Sequence, residues 1–319
     1  MLNCNEYIVL ILLVIFSFLG VSCGTINPNT YNFTYFVRPS WTPEGKIAYF
    51  QVELNTSQNI FDGDVTETKR TITLKKMSSY GTEESDSNFV VSTELDKNFS
   101  GPCYHPNGSQ WAVIIGNKLN IYDSLNNLVK TYSYISSSEV NPQLAWNPQG
   151  TAIAYSAYPS SYNHKGISVL TLSTETVSQI IPTGDIPSWS SDGEFVVYCY
   201  DYTSPDNGGV YLWDISDQQD NVLIKNGDGG YPDVYQNSKI IYVSDNKLIK
   251  YNLNTATTSE VYTHTKPVCY PRWSPDGKSL VFTEFEYQKD YSSSYGFTAR
   301  NICVVNEDGT AFRRLKETN

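Results

Sequence analysis

A turn motif that recurs about every forty residues constrains this chain more than any other feature. Its fullest copy reads Pro-Arg-Trp-Ser-Pro-Asp-Gly from Pro271 to Gly277, and the apolar segment Leu280–Phe282 follows. Proline and glycine at these places favour a tight turn, while aromatic and apolar flanks favour strands. The motif therefore predicts a β-hairpin wherever it occurs.

Six copies of this hairpin can be found, each marked by one aromatic residue. These anchor aromatics are Trp41, Tyr104, Trp146, Trp189, Tyr235 and Trp273. Their spacings are 63, 42, 43, 46 and 38 residues. A period near ~40 residues with several strands per unit is typical of a propeller blade. The sequence thus predicts an all-β fold, a six-bladed β-propeller of four-stranded antiparallel blades. The fifth copy has lost the Pro-Asp-Gly turn, which places its turn geometry in question.

The Pro-x-Trp-Ser-Pro-Asp-Gly-Lys hairpin with its apolar strand resembles the TolB-type propeller repeat. It is also similar to the propellers of the dipeptidyl-peptidase-IV and prolyl-oligopeptidase class. The resemblance covers about residues 38–319 and does not include the N-terminal α/β domain of TolB proteins. It implies an envelope protein that binds a protein partner, as TolB binds a peptidoglycan-associated lipoprotein. No Gly-x-Ser-x-Gly motif occurs, so the peptidase resemblance implies no peptidase activity.

The N-terminus has the pattern of an export signal. Residues Tyr7–Leu19 form one apolar run, which is shorter than the ~20 residues of a membrane span. Small residues and then Cys23 follow, in a Leu-Gly-Val-Ser-Cys segment that resembles a bacterial lipoprotein box. Cys23 is therefore a candidate lipidation site, with ordinary cleavage or an uncleaved anchor as the alternatives. We expect a signal peptide or lipoprotein signal at 1–23, a short tether at 24–32 and the propeller at 33–319.

These features predict an exported protein, either periplasmic, an outer-membrane lipoprotein, or secreted. Contact with a membrane is expected only through the N-terminal lipid or signal anchor. The net charge of −11 argues against a nucleic-acid partner, which requires a basic patch.

Motifs for cofactors and metals are not found in the sequence. There is no P-loop or dinucleotide fingerprint, and the three histidines are assigned to different faces of the propeller. Cys103, Cys199, Cys269 and Cys303 have no CxxC spacing, so we expect buried thiols rather than a zinc site or disulfides. We therefore expect no cofactor, no metal and no catalytic residues.

Loop lengths predict a binding surface. If the strands of each blade are called A to D, the connections between strands B and C are short in blades 2 and 5 and long in the others. Two walls of long loops would enclose a trough across the axis, whereas the face with the A–B turns looks plain. The loops carry aromatic side chains, which offer contact area at low ordering cost. The predicted ligand-binding residues are Phe61, Tyr158, Tyr162, Tyr200, Tyr202, Tyr287, Tyr291 and Tyr295. The alternative is that these loops fold over the channel and pack on each other.

Two functions follow from this surface, besides a scaffold with no ligand of its own. The first is a non-enzymatic propeller that binds a protein or peptide partner. The second is a carbohydrate-binding or carbohydrate-cleaving propeller that stacks sugars on tyrosine rings. Cleavage would need acidic residues near the axis, and Asp201, Glu284 and Glu286 are the candidates.

Overall fold

The structure is a computed structural model that describes residues 29–58, 65–84, 89–93, 99–133, 143–157, 166–200, 209–217, 219–227, 229–287 and 297–317. These residues form 24 strands in six four-stranded sheets. In every sheet the four strands are consecutive in the chain, so each sheet is one blade. The predicted six-bladed all-β propeller is confirmed.

Each blade runs through its strands in the order A to D. Blade 1 contains β1 (Asn29–Trp41), β2 (Ile47–Gln58), β3 (Val65–Met77) and β4 (Val90–Thr93), and blade 2 contains β5 (Cys103–Tyr104), β6 (Gln110–Ile115), β7 (Lys118–Asp123) and β8 (Leu128–Ser133). Blade 3 contains β9 (Leu144–Trp146), β10 (Ala152–Ala157), β11 (Gly166–Thr171) and β12 (Thr176–Ile181), and blade 4 contains β13 (Asp185–Trp189), β14 (Phe195–Tyr200), β15 (Gly209–Asp214) and β16 (Gln219–Asn226). Blade 5 contains β17 (Gly229–Tyr235), β18 (Lys239–Ser244), β19 (Lys247–Asn252) and β20 (Thr257–Thr263), and blade 6 contains β21 (Val268–Trp273), β22 (Ser279–Tyr287), β23 (Phe297–Asn306) and β24 (Arg313–Lys316).

Apolar side chains pack between neighbouring blades, which explains why several strands are apolar on both faces. Trp111 of β6 is 1% exposed and packs against Phe50 and Phe89 of blade 1. The adjacent Ala112 of the same strand packs instead towards blade 3. A strand buried on both faces has no need of polar alternation.

The ring closes where blade 6 meets blade 1. Phe36 and Tyr49 of blade 1 form one buried cluster with Val281 and Val304 of blade 6. The seam lies between two complete blades rather than within a shared blade, as the sequence order predicts.

The A–B turns interlock around one face of the ring. In Gly277 the φ angle is +68°, and its N–H donates a hydrogen bond of 2.9 Å to the carbonyl of Ser274. The ring of Tyr235, from the preceding blade, covers this glycine so closely that an added Cβ would lie 2.4 Å from it. Glycine is therefore needed for its backbone conformation and for the contact between blades.

Blade 5 departs from the repeat in the way its sequence indicates. Val234 pairs with Ile240 just as Trp273 pairs with Leu280 in blade 6. Val234 therefore occupies the anchor position, and Tyr235 lies one residue beyond it, in a shorter turn that has a φ of +52° at Gln236.

The B–C connections agree with the sequence in blades 2 and 5 and differ in blades 1 and 6. Two-residue turns join Ile115 to Lys118 and Ser244 to Lys247. In blade 1, where a long B–C connection was expected, β2 and β3 continue as a paired hairpin as far as Gln58 and Val65. In blade 6, β22 extends to Tyr287 and β23 begins at Phe297. Strand β1 begins at Asn29, before the expected start of the propeller at residue 33, and pairs there with Gln58.

Candidate functional site

A cavity of about 370 Å³ lies on the propeller axis, on the face that carries the A–B turns. Its lining comes from the A strands of all six blades and includes turn residues such as Pro106 and Pro275. The sequence predicted a plain surface on this face, and that interpretation was wrong. A single hairpin of this kind offers no concave surface, but six of them arranged in a ring enclose a cavity.

The anchor aromatics form the wall of this cavity. All six of them line it, and Trp146 and Trp273 are only 6% exposed. The indole Nε1 of Trp146 donates a hydrogen bond of 3.1 Å to the carbonyl of Cys103 in the preceding blade. This hydrogen bond between blades holds the Trp146 ring in place at the cavity wall.

One residue from each blade forms an inner ring just before the anchor position. The members of this axial ring are Ser40, Cys103, Ala145, Ser188, Asp233 and Arg272. They differ in size and charge although the anchors beside them are nearly uniform. The chemistry of the cavity therefore depends on this ring.

Asp233 carries the negative charge of the axial ring. One carboxylate oxygen accepts a hydrogen bond of 2.8 Å from the hydroxyl of Ser188, and the other accepts one of 2.8 Å from the backbone N–H of Trp273. Burial raises the pKa of Asp233 above its ordinary value, against the opposing effects of Arg272 and these hydrogen bonds. The carboxylate therefore ties together the A strands of blades 4, 5 and 6.

Arg272 carries the positive charge of the axial ring. Its Nη1 donates to the carbonyls of Pro232 and Pro271 at 3.2 and 3.3 Å. Its Nη2 reaches across the axis to Oε1 of Gln143 in blade 3, at 3.4 Å. The nearest oxygen of Asp233 lies 3.8 Å from Nη1. The guanidinium thus spans the cavity with long contacts.

Backbone bulges in the A strands lie next to the cavity. Arg38, Ile186, Tyr231 and Tyr270 each precede a proline, and their φ angles lie between 49° and 56°. Left-handed backbone is uncommon for residues other than glycine and costs ~1–3 kcal/mol at each site. The register shifts at these bulges turn the side chains inward.

The inward side chains contact each other across the blades. The guanidinium of Arg38 lies 5.5 Å from the ring centroid of Tyr270, and the Tyr231 and Tyr270 rings meet edge to face at 4.6 Å. Ile186 joins the same buried cluster. We call this group of inward side chains the axial plug, and two of its members, Arg38 and Tyr270, also line the cavity.

Most of the predicted trough lies outside the described residues. Phe61, Tyr158, Tyr162, Tyr202, Tyr291 and Tyr295 belong to that part of the chain, as do His164, Asp201 and Cys23. Tyr287 is the last residue of β22, and its side chain is not among those that the structure describes. Tyr200 is half-buried, with its ring centroid 5.7 Å from that of Tyr211. The trough on the B–C face therefore stays a prediction.

Glu284 was a candidate for acid–base chemistry, and the structure gives it a different role. It is fully buried, and its carboxylate accepts hydrogen bonds from Arg314 at 2.6 and 3.1 Å and from Asn301 at 3.0 Å. The imidazole Nε2 of His264 lies 3.0 Å away, and the Lys266 ammonium lies 3.3 Å away. A carboxylate with its oxygens occupied inside a blade has no access to a substrate. The side chain of Glu286 is not among those that the structure describes.

Cys199, Cys269 and Cys303 are buried, and Cys103 is half-buried beside the cavity, with no disulfide among these four described cysteines. The prediction of buried thiols thus agrees with the structure for Cys199, Cys269 and Cys303 but not for Cys103. Within the described residues, no group of three or more His, Cys, Asp and Glu side chains is placed to hold a metal ion. In the same residues, no helix is long and apolar enough to cross a membrane.

Sequence reasoning identified the anchor aromatics as repeat markers but not as a cavity wall. The axial ring was missed entirely. Part of the signal was present, because the residue before the anchor varies in charge and size in five of the six copies. In the fifth copy Val234 precedes Tyr235, so the sequence alone would not have selected Asp233. A second signal was a residue followed by proline, a pair that begins three residues before most anchors. These pairs mark the positions of the backbone bulges.

Comparison with solved structures identifies the fold. No protein-family model and no curated protein sequence matches the chain. Among solved structures, a putative TolB from Agrobacterium tumefaciens has a TM-score of 0.58 at 16% identity, covering 72% of this chain and 84% of that one. TolB from Acinetobacter baumannii has a TM-score of 0.56 at 11% identity, covering 91% of this chain and 80% of that one. The chain therefore has the six-bladed propeller fold of the TolB structures.

Proposed function

We propose that this chain is an exported, non-enzymatic propeller that binds a protein or peptide partner in the cell envelope or the extracellular space. The observation that carries the proposal is the axial cavity with its wall of six anchor aromatics. Aromatic side chains held rigidly around a concave site give large contact area at little entropic cost, and they are enriched where proteins bind each other.

The size of the cavity fits a short peptide segment rather than a folded domain. A volume of about 370 Å³ accommodates a few side chains. A partner would insert a loop or a chain end into the cavity, while the rest of it rests on the surrounding A–B turns. The trough of loop tyrosines on the B–C face would be a second surface.

Export is the part of the proposal that rests on sequence. The apolar run Tyr7–Leu19 followed by small residues supports a signal, and Cys23 supports lipid attachment. The TolB fold is consistent with an envelope location. Conversion of Cys23 to Ser should release the protein from the membrane fraction if the lipid is attached there.

The test is capture of a partner from the envelope and secreted fractions. The baits are the native chain, a cavity variant with Tyr104→Leu and Trp189→Leu, and a loop variant with Tyr158, Tyr200, Tyr287 and Tyr291 changed to Ala. Tyr80→Ala serves as the matched control, because Tyr80 is 78% exposed and is not part of the cavity. A partner that the native and control baits retain and the cavity variant loses supports the axial site. A partner lost only by the loop variant moves the site to the B–C face.

Carbohydrate is the alternative ligand, since sugars also stack on aromatic rings. The buried, fully occupied carboxylate of Glu284 weighs against cleavage. A glycan array on the native chain tests binding. Glycan retention without any protein partner would replace the peptide proposal.

A further inference from the structure

We propose that the axial cavity binds a carboxylate group of the partner peptide, with Arg272 as its principal contact. The inference rests on the proposed function, because it names the chemistry by which the cavity takes its partner. The carboxylate can come from a C-terminus or from an Asp or Glu side chain.

The hydrogen bonds of Arg272 are long for a charged donor. Its contacts to Pro232, Pro271 and Gln143 measure 3.2, 3.3 and 3.4 Å, and all three acceptors are neutral oxygens. Guanidinium–carboxylate hydrogen bonds are usually ~2.7–2.9 Å and roughly twice as strong as neutral ones. The guanidinium therefore keeps the capacity to make a better bond than those it has.

Arg314 of the same blade shows what a satisfied guanidinium looks like in this protein. Its Nη2 and Nε reach one oxygen of Glu284 at 2.6 and 3.1 Å, and Nη1 reaches Glu317 at 3.3 Å. Arg272 has no carboxylate so placed among the described residues. The contrast indicates that the missing carboxylate of Arg272 belongs to a ligand.

Asp233 does not fill that role, although it is the nearest carboxylate. Its oxygens accept hydrogen bonds from Ser188 and the backbone of Trp273, and it approaches Arg272 only to 3.8 Å. The positive charge of Arg272 is therefore only partly compensated. A second carboxylate that entered the cavity would meet an attractive field.

Gln143 lies opposite Arg272 and supplies a further donor. It is 5% exposed, its Oε1 accepts from Arg272, and its Nε2 has no hydrogen-bond partner in the described residues. Such an unsatisfied buried donor costs ~1–3 kcal/mol. A carboxylate beside this pair could accept from the Arg272 guanidinium and from Nε2 of Gln143. The small Ala145 and Ser40 of the axial ring leave space beside them.

The test uses three peptide probes on the purified full chain, with binding followed by tryptophan fluorescence and calorimetry. The probes are acetyl-Gly-Gly-Tyr with a free C-terminus, its C-terminal amide, and acetyl-Gly-Glu-Tyr-amide. We expect the native chain to bind at least one carboxylate probe about tenfold more tightly than the neutral amide, a difference that charge-assisted pairing readily supplies. Comparison of the two carboxylate probes identifies the source of the group.

Variants at Arg272 test whether the preference for carboxylate probes over the neutral amide depends on this residue. Arg272→Gln should abolish it, and Arg272→Lys, which keeps the charge without the planar fork, should reduce it. Lys278→Gln should leave it unchanged, because Lys278 is exposed on the turn of the same blade. Thermal melting of each variant establishes that the fold is intact, and the Lys variant carries the test if the Gln variant does not fold.

The inference is wrong if the native chain shows no preference for carboxylate probes, or if Arg272→Gln keeps that preference. Its failure can be told apart from failure of the proposed function. A partner that is lost by the cavity variant but retained by Arg272→Gln would uphold the axial binding site and reject the carboxylate contact.

Discussion

The indole Nε1 of Trp41 donates a hydrogen bond of 3.0 Å to the carbonyl of Arg272, across the seam where the last blade meets the first. The two residues are 231 positions apart in the chain. Trp146 makes the equivalent bond to Cys103, between the consecutive blades 3 and 2. Both acceptors belong to the axial ring, so the propeller closes with the same contact that joins blades 2 and 3.

Replacement of Trp41 by Phe should destabilise the closed ring. The variant keeps an aromatic ring but leaves the carbonyl of Arg272 without this donor, and we expect a loss of about 1–3 kcal/mol in the free energy of unfolding. Urea unfolding measures it. Trp146→Phe is the control at an internal seam and should cost a similar amount. A Trp41→Phe variant as stable as the native chain would mean that this bond does not hold the seam.

Substitutions at two turn glycines can distinguish the cost of backbone strain from the cost of packing. Gly45 has φ of +79° with nothing within 4 Å of an added Cβ, whereas Gly277 has φ of +68° and the Tyr235 ring at 2.4 Å. Gly45→Ala should cost only the left-handed strain, about 1–2 kcal/mol. Gly277→Ala should cost more, because the ring must also move. In a Tyr235→Ala background the extra cost of Gly277→Ala should disappear, and unfolding measurements on this double-mutant cycle test it. Equal losses of stability for Gly45→Ala and Gly277→Ala would show that the Tyr235 ring moves aside without a measurable cost in free energy.

Gly101 leaves space for the buried Arg38 of the axial plug. A Cβ on Gly101 would lie 2.8 Å from the Arg38 Cβ and 3.0 Å from its carbonyl oxygen, and neither atom is the end of a flexible chain. The Arg38 guanidinium is also fixed by a hydrogen bond of 2.7 Å to the carbonyl of Phe99. We expect Gly101→Ala to destabilise the protein by about 1–3 kcal/mol, as overpacking usually does.

The control for this prediction is Gly230→Ala in the A strand of blade 5. No atom lies within 4 Å of a Cβ added there, so the change should be neutral or slightly stabilising. Thermal melting of both variants decides the question. Similar melting temperatures would mean that the plug adapts to the added methyl group.

The fold could be predicted from sequence because each hairpin carries its own turn chemistry. The Pro-x-Gly turn and the aromatic before it are local signals, and six copies at one period admit few architectures. Even the irregular fifth blade was visible, through the loss of its Pro-Asp-Gly.

The candidate site could not be predicted in the same way, because it exists only in the closed ring. Arg272 and Gln143 are 129 positions apart, and no local pattern indicates that they meet across the axis. The bulges that turn Arg38 and Tyr270 inward also depend on tertiary contacts that outweigh backbone strain. Glu284 was misjudged for the same reason, since its partners Arg314 and His264 come from other strands and connections.

Glu284 also predicts how stability depends on pH. Burial acts to raise its pKa, but hydrogen bonds from Arg314 and Asn301 and the nearby charges outweigh this effect, so the pKa lies below the ordinary value of 4.5. The stabilisation is therefore complete above about pH 4.5 and is lost as pH falls through the lower pKa of the folded state. Burial lowers the pKa of His264 below 6.5, against the attraction of Glu284, so protonation of this imidazole also costs stability as pH falls.

The variant Glu284→Gln should separate these contributions. It leaves Arg314 and Lys266 beside a neutral side chain, and we expect it to cost about 3–5 kcal/mol near pH 7, as for other broken buried ion pairs. It should also lose less stability than the native chain between pH 5 and pH 3, because the titrating carboxylate is gone. Glu307→Gln is the control, since Glu307 pairs with Lys239 and Lys250 at a partly exposed site, where an ion pair is worth about 0–1 kcal/mol. Unfolding free energies of the three proteins from pH 7 to pH 3 provide the measurement. If Glu284→Gln and the native chain lost stability in parallel over this range, the buried carboxylate would not be the source of the acid sensitivity.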